Sequence, residues 1–173
     1  LEIFNSRVAP IQISWLAYCN TTGFETIDYI MIDKNLVTKN EEKLYSEKVI
    51  RPSKVWNSHA GFNIKRKYNN LPSEKNEIFT FGSFNNFRKI SPETVDTWSS
   101  ILQSVSNCRL ILKSSTFCDT NSLLNKFKKH GIENKVIILD KVNFHKKKDH
   151  LELYNEVDLA LDTFPYNGVT TTF

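Results

Sequence analysis

The residues best suited to chemistry lie near the end of the chain, in "LALDTFPYNGVTTTF" (159–173). An apolar run, Leu159-Ala160-Leu161, is followed by Asp162, then by Gly168 and three consecutive threonines, Thr170, Thr171 and Thr172. Glycine permits close backbone approach. The threonines fall at a predicted helix N-terminus, where hydroxyls, unpaired backbone N–H groups and the positive dipole end favour a phosphate. Two other stretches add matching groups. "GSFNNFRKI" (82–90) supplies Asn85, Asn86 and Lys89, and "NFHKKKDH" (143–150) supplies Lys147 and His150. Ammonium groups beside such a pocket would neutralise a diphosphate as the bond to it breaks. Each stretch also has a plainer use. A Gly-Thr cluster can be a capped turn, Asn85 and Asn86 can cap the turn after a strand, and the "HKKK" run (145–148) can be a solvated loop.

What joins these stretches is the order of the elements that carry them. "EIFTFGSF" (77–84) reads as a strand and "SPETVDTWSSILQSV" (91–105) as a helix, with Ser91 as cap and Pro92 in the first turn. Trp98, Ile101, Leu102 and Val105 form one apolar stripe on that helix. Strand "CRLILKS" (108–114), helix "NSLLNKFKKHG" (121–131), strand "KVIILD" (135–140), helix "KDHLELYNE" (148–156) and strand "VDLALD" (157–162) follow. Apolar strands joined by crossover helices predict a doubly wound α/β domain, its parallel sheet covered on both faces. In such sheets ligands bind where the carboxyl ends of strands run into loops. All three chemistry-bearing stretches should therefore open on one sheet edge.

The first half is less regular. Strands are expected at "APIQISWLAY" (9–18) and "IDYIMID" (27–33), with the donor-rich loop "CNTTGFET" between them. The pattern is mixed from Lys34 to Trp56, and "NIKRKYNNLPSEKNE" (63–77) reads as a polar connection. The expected organisation is thus residues 1–62, a connection at 63–77, and a second α/β unit at 78–173. The 173 residues are 40% hydrophobic and include a single methionine, Met31, so the chain reads as an internal piece of a longer protein. No apolar run is long enough to span a membrane. A formal charge of +4 is too mild to argue for nucleic acid. Cys19, Cys108 and Cys118 lack paired short spacing and read as buried free thiols, which leans towards an intracellular protein. His145 and His150 are poorly spaced to share a metal ion, so no metal site is expected.

Several phrases together, "APIQISWLAY…TTG…DYIMID", "YSEKVIRPSKVW", "FTFGSFNNFRKISPETVDTWSSIL" and "DHLELYNEVDLALDTFPYNGVTTT", resemble the catalytic region of the protein O-linked N-acetylglucosamine transferases, in particular their bacterial SPINDLY-type branch. The resemblance runs from about Arg7 to Phe173 and is weakest around 60–77. It implies a GT-B fold, two Rossmann-like domains, both incomplete in this piece, with tetratricopeptide repeats upstream. It also implies roles. Asn86 and Lys89 would reach the nucleotide and its diphosphate, with Lys89 as the catalytic cation. Lys147 and His150 would contact the nucleotide, and Thr170 and Thr171, with Thr172 adjacent, would bind the phosphates. Thr21, Thr22 and Gly23 would belong to an acceptor-side loop. There the family's usual "GYPGT" is replaced by Ala17-Tyr18-Cys19-Asn20-Thr21, which leaves the loop's shape open. The loop carrying Lys147 looks longer than the family's. Proton-handling histidines would lie upstream of Leu1, and an acidic ribose contact just past Phe173.

The implied activity is inverting, metal- and cofactor-independent transfer of N-acetylglucosamine from UDP-GlcNAc to Ser or Thr hydroxyls of a protein or peptide acceptor, in the cytoplasm. Neither membrane nor nucleic acid is an expected partner, and the piece alone is expected to be inactive. The alternatives are another donor on the same fold, such as GDP-fucose, and a non-catalytic scaffold.

Overall fold

The computed structural model describes residues 2–16, 18–52, 54–58, 60–61, 69–113, 119–139 and 151–172. They form two compact units, Leu1–Phe62 and Asn63–Phe173. The first holds a three-stranded parallel sheet of β1 (Ile13–Ser14), β2 (Tyr29–Met31) and β3 (Lys48–Ile50), in that order. Ile30 at the centre of β2 is buried, as are Ile27, Ile32 and Val37 around it. Among the described residues of the strand expected at 9–18, only Ile13–Ser14 pairs, and Ile13 and Trp15 are exposed. β3 went unforeseen, because three residues with one half-buried face show no period in "YSEKVIRP".

The second unit has four parallel strands, β4 (Phe79–Ser83), β5 (Cys108–Lys113), β6 (Val136–Leu139) and β7 (Leu159–Ala160). Their order across the sheet is β6-β5-β4-β7. The chain therefore winds outward from β4 to β6 and then crosses back to the other side of β4, the Rossmann arrangement. Both units have parallel sheets, and with α1 to α3 in the second the chain is α/β, the class expected for Rossmann-like domains of a GT-B protein.

Helix α2 (Pro92–Ser104) starts as its sequence dictates, with the Ser91 hydroxyl accepting from Thr94 N at 3.1 Å. Its buried face, Val95, Trp98 and Leu102, packs with Phe81, Leu110 and Leu112 from the sheet and with Leu123 and Phe127 of α3 (Thr120–Lys128). The cap of α3 is Asp119, whose carboxylate accepts from Asn121 N and Ser122 N, both at 3.1 Å. A third, four-residue helix, α1 (Ser73–Asn76), ends the expected polar connection. It is tied into the second unit: Ser73 N and Oγ donate to Asp158 at 3.0 and 2.7 Å, and the other carboxylate oxygen takes Thr80 N at 2.8 Å. Burial pushes the Asp158 carboxyl up, but these hydrogen bonds and the nearby Arg109 charge outweigh it and hold it below the usual range.

Gly82 matters for the crossover. A Cβ there would stand 2.5 Å from a methyl of Val157, so only glycine lets the segment entering β7 lie against β4. Leu159 of β7 is 49% exposed and Ile137 of β6 is 38% exposed. Among the described residues β7 pairs with β4 alone, and both of its residues are exposed. Among the described residues no helix is long and apolar enough to cross a membrane.

Candidate functional site

The order β6-β5-β4-β7 puts a topological switch point between β4 and β7, where successive connections leave in opposite directions and open a crevice beyond the strand ends. The segments that leave β4 and β7 at this edge are the two that carry Asn85, Asn86 and Lys89 on one side, and Asp162 to Thr172 on the other.

After β4 the chain turns sharply. Asn86 caps a short 3-10 turn, Phe87–Lys89, by accepting from Arg88 N at 3.0 Å. The plain use of this asparagine is thus realised, and it fixes the backbone from which Lys89 projects. Phe87, buried in the core cluster, anchors the same turn. Lys89 Nζ reaches across to the β7 segment, donating to Asn167 O at 2.9 Å and lying 4.1 Å above the centre of the Tyr166 ring. Such a cation–ring contact contributes about 0.5–1 kcal/mol where water has access. Burial pushes the Lys89 ammonium below its ordinary value, and the Asp162 charge pulls it back up.

The β7 segment is held by one carboxylate oxygen. Asp162 Oδ1 accepts from Thr163 N at 2.8 Å, Gly168 N at 2.7 Å and Asn85 Nδ2 at 2.9 Å. Thr163, itself buried, donates its hydroxyl to Tyr166 O at 2.7 Å. Thr94 of α2 both donates to Phe164 O and accepts from Phe164 N. The Phe164–Pro165 peptide is cis. A Cβ on Gly168 would meet Thr172 Oγ1 at 2.6 Å, Asn85 Oδ1 at 2.8 Å and Asp162 Oδ1 at 3.2 Å. Close approach, rather than an unusual φ, is what demands glycine here.

Residues 170–172 of the threonine cluster form a turn, closed by Thr172 N donating to Val169 O at 3.1 Å. Thr171 O accepts from Tyr154 OH at 3.1 Å, which ties the turn to the segment before β7. Thr172 Oγ1 sits against Gly168, inside the clamp. Thr170 is exposed and Thr171 half-buried. Lys147, His150 and His145 lie outside the described residues.

In the first unit, Thr21, Thr22 and Gly23 form a closed network. Thr21 Oγ1 donates to Glu47 Oε2 at 2.8 Å, Thr22 N donates to Glu47 Oε1 at 2.7 Å, and the Thr22 hydroxyl donates to that same oxygen. Gly23 N in turn donates to Thr21 Oγ1 at 3.1 Å. Burial pushes the Glu47 carboxyl up, but the bonds from Thr22 and Thr21 together outweigh it and hold it below its ordinary value. These donors already have an internal anion.

Sequence reading left Asp162 without a role, although its place directly after an apolar strand was a signal. It also passed over Lys113, which is 1% exposed at the carboxyl end of β5, on the same sheet edge. Of the thiols, Cys108 is buried as expected, Cys19 is only half-buried, and Cys118 lies outside the described residues. Cys19 sits in an open loop rather than on a sheet, which explains the difference. Among the described residues no three His, Cys, Asp or Glu side chains gather as a metal-binding group.

A parallel sheet of Rossmann order, with an ammonium and a closely packed glycine at its switch point, makes the second unit an α/β domain of Rossmann type. The glycosyl transferase family 41 model matches residues 1–57 and 60–173, and the chain belongs to that family. A Hordeum vulgare protein named "Probable UDP-N-acetylglucosamine--peptide N-acetylglucosaminyltransferase SPINDLY" is 36% identical over 171 residues, which is 96% of this chain and 18% of that protein. An Arabidopsis thaliana protein of the same designation but called SEC is 31% identical over 181 residues, 98% of this chain and 18% of its own length. Among solved structures, a lysine-to-methionine variant of the Thermobaculum terrenum O-GlcNAc transferase superposes with a TM-score of 0.76 at 32% identity, covering 95% of this chain and 31% of that one. The chain thus spans about a fifth of the length of these curated relatives.

Proposed function

We propose that the second unit binds the donor in a metal-independent, inverting protein O-glycosyltransferase that moves N-acetylglucosamine from UDP-GlcNAc to Ser or Thr hydroxyls. The observation that carries this reading is the place of Lys89. Its ammonium bridges the two loops of the β4/β7 switch point, where a nucleotide diphosphate would lie. In the reaction the acceptor hydroxyl attacks the anomeric carbon, its proton passes to a base, and the carbon–oxygen bond to the diphosphate breaks. The electron pair stays on the diphosphate. Lys89 meets that charge as it grows, which lowers the barrier more than it tightens donor binding. Asn86 sets the turn that presents Lys89, Gly168 allows the backbone to come close, and the hydroxyls of Thr170 and Thr171 offer further donors. Lys147 and His150 would add nucleotide contacts from the loop after β6.

The names of the relatives support UDP-GlcNAc as donor. The test is peptide labelling by the full-length protein, with UDP-GlcNAc and GDP-fucose offered in parallel and no divalent cation present. Transfer from UDP-GlcNAc with inversion at the anomeric carbon is expected. Transfer from GDP-fucose alone would reassign the donor, and transfer from neither, with no donor hydrolysis, would make the protein a scaffold.

A further inference from the structure

We propose that Asp162 is a positioning residue for Lys89, holding the β7 loop so that Asn167 O and the Tyr166 ring fix where the ammonium sits. The inference deepens the reading of Lys89 as the cation that meets the diphosphate, and it rests on that reading. The geometry points to it in two steps. First, a single oxygen, Asp162 Oδ1, gathers two backbone N–H groups of its own loop, Thr163 N and Gly168 N, and one side chain of the opposite loop, Asn85 Nδ2. Donors from residues 163 and 168 bracket the segment 164–167, so its ends are pinned to one point. Second, the two groups that touch the Lys89 ammonium, Asn167 O and the Tyr166 ring, both lie inside that bracket. Asn85 is 5% exposed at the carboxyl end of β4, so the clamp is referenced to the sheet rather than to mobile surface.

The arrangement also accounts for Gly168. Three side-chain oxygens, from Thr172, Asn85 and Asp162, fill the space a Cβ on it would take, so a larger residue would have to displace members of the clamp. Carboxylate hydrogen bonds of this length to backbone N–H groups are the stronger kind, and a shared acceptor makes their geometry interdependent. Asp162 does not need to touch the nucleotide to matter for it. Its Oδ1 is occupied from its own protein, and its effect passes through the place of another residue's charge.

The test reads Lys89 directly in the full-length protein, by its rate of acylation with an amine-reactive ester, followed by mass spectrometry. Asp162→Ala is expected to raise Lys89 acylation on the order of tenfold while other lysines keep their rates. Asp162→Asn, which retains an acceptor oxygen, should fall back towards the wild-type rate. Asn85→Ala removes one of the three bonds and should give a rise of severalfold, and it serves where Asp162→Ala does not fold. An unchanged Lys89 rate in a folded Asp162→Ala or Asn85→Ala protein overturns the proposal. So does Asp162→Asn behaving as badly as Asp162→Ala. This readout is independent of transfer. Inactivity of the wild-type protein towards every donor would sink the functional reading, while a changed Lys89 rate would still uphold the clamp.

Discussion

Two loops in this chain are built from the same materials, threonines, a glycine and a carboxylate, and they do opposite things. In the first unit, Thr21 and Thr22 turn their hydroxyls onto Glu47, which is 4% exposed, and the loop closes on its own anion. At the β4/β7 switch point, Asp162 takes backbone N–H groups instead, and the ammonium of Lys89 is held by a carbonyl and a ring. A donor-rich loop is ready for an external anion only where no internal one has claimed its hydrogens. Residue type does not decide this. The position of one glutamate or aspartate does.

The sharpest way to break the comparison is at Lys89. Lys89→Ala in the full-length protein should lower turnover by about 10²–10³-fold, the effect of deleting one donor that meets developing charge, with a much smaller change in donor affinity. Steady-state kinetics of peptide labelling would show it. Equal loss in turnover and affinity would mean that Lys89 binds donor and transition state alike.

Next comes Glu47→Leu, which removes the carboxylate that accepts from Thr22 N and from both threonine hydroxyls. The loop at 19–26 should lose about 2–4 kcal/mol of protection, read as faster amide hydrogen exchange across those residues. Unchanged exchange would show that the network is not what closes the loop.

The pH dependence follows from the same group. The folded Glu47 carboxyl is held below its ordinary value of 4.5, so its contribution is complete above that value and is lost as pH falls through the lower, folded one. Asp28, brought to about 2 by its bonds from Arg7 and from Gln12 N, acts in the same direction from its ordinary 3.8 downward. Acid unfolding of the first unit should begin below about pH 4.5, and Glu47→Gln should flatten its upper part. The smallest expected effect is that of Asn86→Ala. Loss of the cap on Phe87–Lys89 should cost about 1 kcal/mol locally and reduce turnover a few-fold through Lys89. A loss as large as that of Lys89→Ala would give Asn86 a direct place on the nucleotide.

The second unit was legible because its elements are long and periodic. Trp98 and Leu102 on α2 and the apolar runs of β4 and β5 announce a sheet and its covering helix, and their alternation announces a crossover topology. From that topology the shared edge of Lys89 and the 162–172 segment followed. The first unit was not legible to the same degree. Strands of two or three residues, such as Ile13–Ser14 and Lys48–Ile50, are too short to carry a period, and long-range pairing decides them. The clamp at Asp162 was invisible for a different reason. A carboxylate that accepts from residues 85, 163 and 168 depends in part on a contact across more than seventy positions, so the apolar strand before Asp162 marks its place but not its partners.

The most direct test of the central claim, that the β4/β7 switch point of the second unit holds a diphosphate through Lys89, is calorimetric titration of the full-length protein with UDP and with UMP. Wild-type protein should bind UDP more tightly than UMP by at least about tenfold, and Lys89→Ala should lose most of that difference while binding UMP nearly as before. An undiminished preference for UDP in Lys89→Ala would contradict the account, because the second phosphate would then be recognised elsewhere.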